Sequence, residues 1–362
     1  MHTLFALSNP FRRLLLVLSA TTVLLFSFWL AVGAQSTSLS TAGYLDFSYQ
    51  GWSGAGAPTG EKPESKLWWN DGFWWGALYN SSAGELRIYR LNWGTQTWED
   101  TTVAIDDRDN TKTDVLWDNT AKKLYIASHI AIDSDGEEVG NLDEWARLYR
   151  YSYDAAAQKY TLDLGFPTTI NNDVSETLVL AKGASGRLWI TFVSRGTTSG
   201  TNPDYRVFVN SSANDGATWG NAFVPTLSPA ITATHVARGD IAAIVAVGDK
   251  VGLMWNNSTE KALAHSTLHF AIHAANSTSG AWATQSITVP HGADDHVSLR
   301  ALQATSSGQV FAAIKTDTPI SGTITQTVPL IGMVARDLTD PNGAFIFRAY
   351  SRNTDKDTRP VL

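Results

Sequence analysis

Beyond about residue 61 the chain is written in short runs where apolar and polar residues alternate, separated by Gly, Asn and Asp. Alternation of period two marks strands with one buried face, and the turn residues between them mark hairpins. Helical periodicity is almost absent. The runs recur in a fixed order. One set reads SKLWWND, KTDVLWD, SETLVLA, GDIAAIV, VSLRALQ and TRPVL, beginning at Ser65, Lys112, Ser175, Gly239, Val297 and Thr358. Each of the first five is followed by a second run: GFWWGALY, KLYIASH, RLWITFVS, VGLMWNN and QVFAAIKT. Third runs follow (LRIYRLN, RLYRYSYD, YRVFVNS, LHFAIHA, PLIGMVARD), and fourth runs such as KYTLDLG and AFIFRAYS close the units.

Four antiparallel strands repeating every ~50–60 residues describe the blade of a β-propeller. The expected fold is all-β: a six-bladed β-propeller of four-stranded antiparallel blades with the last blade incomplete. The sixth first strand begins at Thr358 and the sequence stops at Leu362. The run GYLDFSYQ, residues 43–50, is expected to add an outer strand to that blade, and the strands still missing make the sequence read as a fragment with an aggregation-prone open edge. The expected division is residues 1–34 as a signal peptide, 35–60 as an N-terminal strand and Gly/Pro/Ser linker, and 61–362 as the propeller.

Between the third and fourth strands of the third blade lies SSANDGATWG, with Ser212, Asn214, Gly216, Thr218 and Trp219 at fixed offsets. LNWGTQTW and ANSTSGAW occupy the same slot in the first and fourth blades. The stretch resembles the box Ser-x-Asp-x-Gly-x-Thr-Trp of the BNR/Asp-box propellers, the sialidase-like superfamily, with Asn214 in place of the Asp. The resemblance covers about residue 67 onward and implies fold more than activity. Physically the box is expected to be scaffold. Gly216 can take a positive φ, the Ser and Asn side chains can bond nearby backbone, and Trp219 can pack between blades. It falls on the face opposite the loops between second and third strands, where a ligand is expected.

Composition narrows the function. The 362 residues carry a net charge of −7, which argues against a nucleic-acid partner. Hydrophobic residues make up 43%, enough for a packed core. There are 14 Trp, a residue that packs cores and offers a flat face to sugars, and no Cys. Arg12 and Arg13, an apolar run from Leu14 to Leu30, and Val32 and Ala34 ahead of Gln35 read as an export signal cleaved after Ala34. An uncleaved membrane anchor is the rival reading. The mature chain is then expected to be secreted, without disulfides and with no membrane contact beyond the export signal.

The chemistry is expected at the mouth of the central channel. Lys66, Asp114, Glu176, Asp240, Val297 and Arg359 fall at similar positions near the starts of the first strands. Around them stand Lys62, Glu64, Asp107, Arg108, Asp109, Asp173, His235, Arg238, Asp294, Asp295 and His296, with His129 and Arg195 after second strands and Arg300 on the fifth first strand. Carboxyl groups held together separate their pKa values into an acid and a base, as glycoside hydrolysis needs. Glu176, Asp114 and Asp240 are the candidate catalytic residues, with Glu176 the general acid. Lys66, Arg108, His129, Arg195, Arg238, His296, Arg300 and Arg359 are the candidate ligand-binding set, a cationic edge for a substrate carboxylate or sulfate. The alternative for the same charges is that they pair with one another around a wet channel.

The sialidase-like resemblance implies three substrate-binding arginines, the first in an Arg-Ile-Pro motif. Here the nearest string is Arg87–Tyr89, which lacks the Pro and lies on a third strand, so no catalytic residue is carried over. No cofactor is expected. The acidic loop DSDGEE, residues 133–138, offers oxygens suited to Ca²⁺ but lacks the full loop spacing. His269 and His273 share a strand face without a third metal ligand. The leading expectation is glycan or polysaccharide recognition, with glycoside cleavage at the funnel. The rival is a non-catalytic propeller for adhesion or protein binding.

Overall fold

A computed structural model describes residues 60–61, 63–108, 110–130, 144–196, 204–230, 234–262, 265–301, 308–316, 328–340 and 343–352, all within one compact unit, Phe47–Leu362. The proposed export signal, the 43–50 run, the 133–138 loop and the strand carrying Arg359 lie outside the described residues.

Every described element is a strand. A two-stranded ribbon, β1 (Gly60–Glu61) and β2 (Glu64–Ser65), precedes five sheets in chain order. The first is β3 (Leu67–Asn70), β4 (Phe73–Asn80), β5 (Glu85–Asn92) and β6 (Thr97–Ala104). The second is β7 (Thr111–Asp118), β8 (Lys123–Ile130), β9 (Ala146–Asp154), β10 (Lys159–Leu162) and β11 (Thr168–Asn171). The third holds β12 (Val179–Lys182), β13 (Leu188–Arg195) and β14 (Tyr205–Ser212), and two short strands follow, β15 (Leu227–Ser228) and β16 (His235–Val236). The fourth is β17 (Ala242–Val247), β18 (Lys250–Ala262), β19 (His265–Ala274) and β20 (Trp282–Ile287). The fifth is β21 (Ala293–Ala301), β22 (Gln309–Thr316), β23 (Pro329–Asp337) and β24 (Ile346–Arg352).

Within each sheet consecutive strands pair antiparallel, and the first strands of successive sheets lie side by side: β3 by β7, β7 by β12, β12 by β17, β17 by β21. Sheets stacked side by side through their first strands are the arrangement of propeller blades. The strand runs read from the sequence overlap these strands, apart from TRPVL, which lies outside the described residues. Asp71 and Gly72, at φ 53° and 80°, form the two-residue hairpin turn between β3 and β4, the geometry Asp-Gly favours.

Three departures from the simple repeat are visible. The fourth position of the second blade is split, since β10 and β11 both pair with β9. The fourth strand of the third blade is only β16, two residues beside Tyr205 and Arg206, with a single bridge between Val209 and Phe223 further along β14. Ahead of it, β15 pairs in parallel with β20 of the fourth blade.

The blades are glued by aromatic seams. Between the first two, Trp75 stands edge-on to Tyr160 at 5.0 Å, and the Tyr160 hydroxyl accepts from Trp68 Nε1 at 2.8 Å and Asn70 Nδ2 at 2.9 Å. Between the second and third, Trp145, Leu148, Tyr125, Leu188 and Phe192 are buried together. From the third to the fifth runs the largest cluster, with Trp189, Trp255, Phe270 and Trp282 fully buried. Fully burying such aromatics contributes several kcal/mol each.

Candidate functional site

The Asp-box turn can be assigned a part first. Ser212 Oγ accepts the Gly216 amide at 3.0 Å, Asn214 Oδ1 accepts the Thr218 amide at 3.0 Å, and Asn214 Nδ2 donates to Thr218 Oγ1 at 2.8 Å. Asn214 thus does what an Asp would do, through its oxygen, and gains a donor. The turn docks on the second blade. Arg150 donates to the Asp215 carbonyl at 2.9 Å and carboxylate at 3.0 Å, and Thr168 Oγ1 donates to the Gly216 carbonyl at 2.7 Å. Gly216 sits at φ 85°, and a Cβ there would meet Leu148 Cδ2 at 2.1 Å. Trp219 is half-buried against the cluster shared by the second and third blades rather than fully enclosed. On this same face Lys182 joins Asp118 at 2.9 Å and Asp215 at 3.0 Å, and donates to the Tyr125 hydroxyl at 2.6 Å. Burial and the Asp215 hydrogen bond push the Tyr125 phenol up to about 12.

Along the axis, a central cavity of about 210 Å³ is lined by Ser65, Asp114, Leu180, Val245 and Arg300, among others. Its polar end is built where β2, β7 and the lead into β12 converge. Asp114 is buried, and its two oxygens accept the Ser65 amide at 2.6 Å and the Leu180 amide at 2.7 Å, so one carboxyl ties the ribbon to the second and third blades. Burial raises its pKa, the two amides lower it, Glu64 raises it and Arg300 lowers it, leaving it at about 7.

Glu64 lies beside it with a side chain wholly out of solvent. Its Oε1 meets His129 Nε2 at 2.5 Å and accepts the Leu178 amide at 3.0 Å. Lys66 Nζ stands 3.6 Å from Oε2. Burial opposes ionisation of Glu64, but His129, Lys66 and Lys112 outweigh it and bring the pKa down to about 2. Two neighbouring carboxyls thus hold opposite protonation preferences, Asp114 on the cavity wall and Glu64 buried off it.

The other expected site residues divide. Asp240 is held inside its own blade. Its oxygens accept from the Ala237 and Ser258 amides, Ser258 Oγ and Asn256 Nδ2 at 2.6–3.0 Å, all local to the entry of β17 and the end of β18. Burial raises its pKa. Glu176 is half-buried in the bend ahead of β12, two residues before the Leu178 amide that bonds Glu64. Arg108 clamps Asp106 through Nε at 2.9 Å and Nη2 at 2.6 Å, and also donates to the Glu144 and Trp145 carbonyls, so it closes a loop. His129 is fully buried and packs on Trp145 at 4.9 Å. Arg300 lines the cavity and donates to the Leu299 carbonyl at 2.8 Å. Arg195 is exposed at the end of β13, Arg238 is half-buried in the turn before β17, and His296 is half-buried on β21. His235 pairs with Asp204 at 2.9 Å and Asp294 with Lys315. Asp107 and Asp173 are exposed, though the atoms crowding the Asp173 carboxyl screen it from enough water to raise its pKa. Lys62, Asp109 and Arg359 lie outside the described residues, as does the side chain of Asp295.

His269 and His273, expected to share a face, serve separate partners. His269 bonds Glu260 at 2.9 Å and stacks on Trp255, while His273 bonds the Ser279 carbonyl at 2.9 Å and stacks on Trp282. Among the described residues no cluster of three or more His, Cys, Asp or Glu is placed to hold a metal ion. What sequence reasoning missed is the pairing of Glu64 with His129. The one available signal was that Glu64 precedes the first inner strand, as Glu176 precedes β12.

No family model matches the chain, and no curated protein matches it. Solved structures do resemble it. An α-L-arabinanase of Penicillium chrysogenum complexed with arabinobiose is 13% identical, covers 77% of this chain and 75% of its own, and has a TM-score of 0.43. An endo-arabinase of Bacteroides thetaiotaomicron is 13% identical over 82% of this chain and 95% of its own, with a TM-score of 0.41. An α-L-arabinofuranosidase of Fusarium graminearum with arabinobiose is 11% identical over 82% and 76%, with a TM-score of 0.43.

Proposed function

We propose that the protein is a glycan-recognising propeller that cleaves glycosidic bonds at the polar end of its central cavity. The observation that carries this is the neighbouring pair of Asp114, on the wall of that cavity, and Glu64, buried behind it, the first at about 7 and the second held ionised. A proton-bearing carboxyl and an ionised one are the two groups such cleavage uses. Glu176, two residues before the Glu64-binding Leu178 amide, is the proposed general acid, with the proton-bearing Asp114 sharing the acid side of the chemistry and Arg300 meeting the ligand. The finer expectations travel with this reading: an export signal cleaved after Ala34, a sixth blade begun at Thr358, and a sialidase-like hydrolase activity for which no arginine set is fixed by a motif.

The competing reading, a non-catalytic glycan or protein binder, is favoured by one observation: Glu64 is wholly buried and ion-paired, and both Asp114 oxygens already accept amides. Release of reducing sugar from a panel including arabinan, xylan and a sialoside decides between them. Turnover by the wild type that disappears in Glu176→Gln while glycan retention persists supports hydrolysis. Retention without turnover leaves the binder. Sequencing the N-terminus of the exported protein tests the cleavage site.

A further inference from the structure

Two opposite charges on the segment whose Pro63 and Ser65 line the cavity, themselves off its wall, are left incompletely bonded. Glu64 spends Oε1 on His129 and Leu178, while Oε2 is buried and has no hydrogen bond among the described residues. Lys66 Nζ is buried and likewise has no hydrogen bond among the described residues. Their separation of 3.6 Å is an ion pair but too long for a hydrogen bond. Buried polar atoms in this state call for a partner, since each carries the desolvation cost of an unmade bond.

The chemistry of that partner is restricted. An anion would satisfy Lys66 but lie against the Glu64 carboxylate. A metal cation would satisfy Oε2 but lie against Lys66, with Lys112 also near enough to act on Glu64. A neutral hydroxyl satisfies both, donating its proton to Oε2 and accepting from Nζ. An oxygen about 2.8 Å from each atom would stand at the apex over a 3.6 Å base. The Lys66 side chain keeps 9% of its surface exposed and Glu64 none, and Nζ itself is buried, so a ligand reaches the clamp only if the Lys66 side chain swings aside.

We propose that Glu64 Oε2 and Lys66 Nζ form a clamp for a single neutral hydroxyl, and that the glycan recognised here presents an uncharged sugar at this point rather than a uronate or sulfate. This rests on the glycan reading above and replaces, for Lys66, the expectation of a cationic grip on an anionic substituent. The hydroxyl has two sources, an internal water or the sugar itself.

The full chain is titrated with arabinobiose, xylobiose and, as the anionic probe, glucuronic acid, and crystals are solved with and without the disaccharide that binds. Expected are binding of a neutral disaccharide in preference to glucuronic acid and a loss of about tenfold in that affinity for Lys66→Met, the size of one charge-assisted hydrogen bond. Because Lys66→Met strands a buried carboxylate, the double variant Glu64→Gln/Lys66→Met, which buries no charge here, is the folding-safe form and is expected to show the same loss. A bridging water in the free crystal that gives way to a sugar hydroxyl supports the clamp. A water that stays while sugar binds elsewhere, unchanged affinity in either folded variant, tighter binding of glucuronic acid, or no binding of either neutral disaccharide overturns it. Hydrolysis indifferent to Lys66→Met removes the clamp and leaves the hydrolytic reading. Lysine-dependent sugar binding without turnover on any polymer does the reverse.

Discussion

Asp114 and Glu64 sit side by side, yet pH acts on them in opposite senses. The Asp114 carboxyl has a folded pKa of about 7, above its unfolded value, so the folded state holds a proton that the unfolded chain releases. Its contribution is fullest below the unfolded pKa near 4 and declines as pH rises to about 7. Glu64, at about 2, contributes above its unfolded pKa near 4.5 and loses that contribution as pH falls toward 2. The pair alone therefore favours mildly acid conditions. Urea midpoints measured across pH should fall between about pH 4 and 7 with a slope of at most about 1.4 kcal/mol per pH unit from this group. Asp114→Asn should flatten that slope even though it lowers stability at every pH; an unchanged slope would show that another group titrates there. At the same scale, Gly216→Ala should cost more than Trp219→Ala. The first forces a Cβ against Leu148 at a positive φ, about 2–4 kcal/mol, whereas the second trims a ring that is only half-buried, about 1–2 kcal/mol. Urea unfolding of the two variants gives the ranking.

The elements were the most legible part of the sequence, and the reason is simple. A first strand such as KTDVLWD and a second such as KLYIASH each carry their own alternation, and DG or Asx turns punctuate them, so the information is local. What was illegible is what distant partners decide. Asp240 read as a funnel carboxyl because nothing near it in sequence shows that Ser258 and Asn256, some 16–18 residues on, would take its oxygens. Glu64 read as one of many flanking charges because His129 is 65 residues away. The split of β10 and β11 and the parallel β15 fall in stretches with prolines and little alternation, where period carries no signal. Two expectations belong here. Asp240→Ala should strand buried donors on Asn256 and Ser258 and cost about 2–4 kcal/mol, with faster amide exchange at the entry to β17 and little change in β7. Centre-strand amides on β14, covered by a two-residue strand and one bridge, should exchange faster than those of β23, which β24 covers for most of its length. Equal protection on the two strands would mean that the loop around Phe223 shields β14 by other means.

For the whole molecule, the cores are unequal. The buried cluster of the third to fifth blades is much larger than the one binding the first blade to the second. The first blade also presents Trp69 and Trp74, 48% and 38% exposed, while its opposite face packs on the second blade. Opening should therefore begin at the first blade. In a denaturant series, exchange of β3–β6 amides should rise at lower urea than that of β17–β20, and uniform exchange across all blades would instead indicate a single cooperative unit.

The parallel strand β15 gives the assembly a direction of weakness. After leaving the third blade the chain runs along the outer edge of the fourth at Leu227 and Ser228, then returns to the third at His235 and Val236 before entering β17. It is a hem stitched through both cloths. Pulling those two blades apart loads sheet hydrogen bonds at both ends of the stitch, whereas among the described strands no such return crosses from the first blade to the second. Under tension the molecule should tear along its unsewn seams and leave the third and fourth blades as the last piece held together.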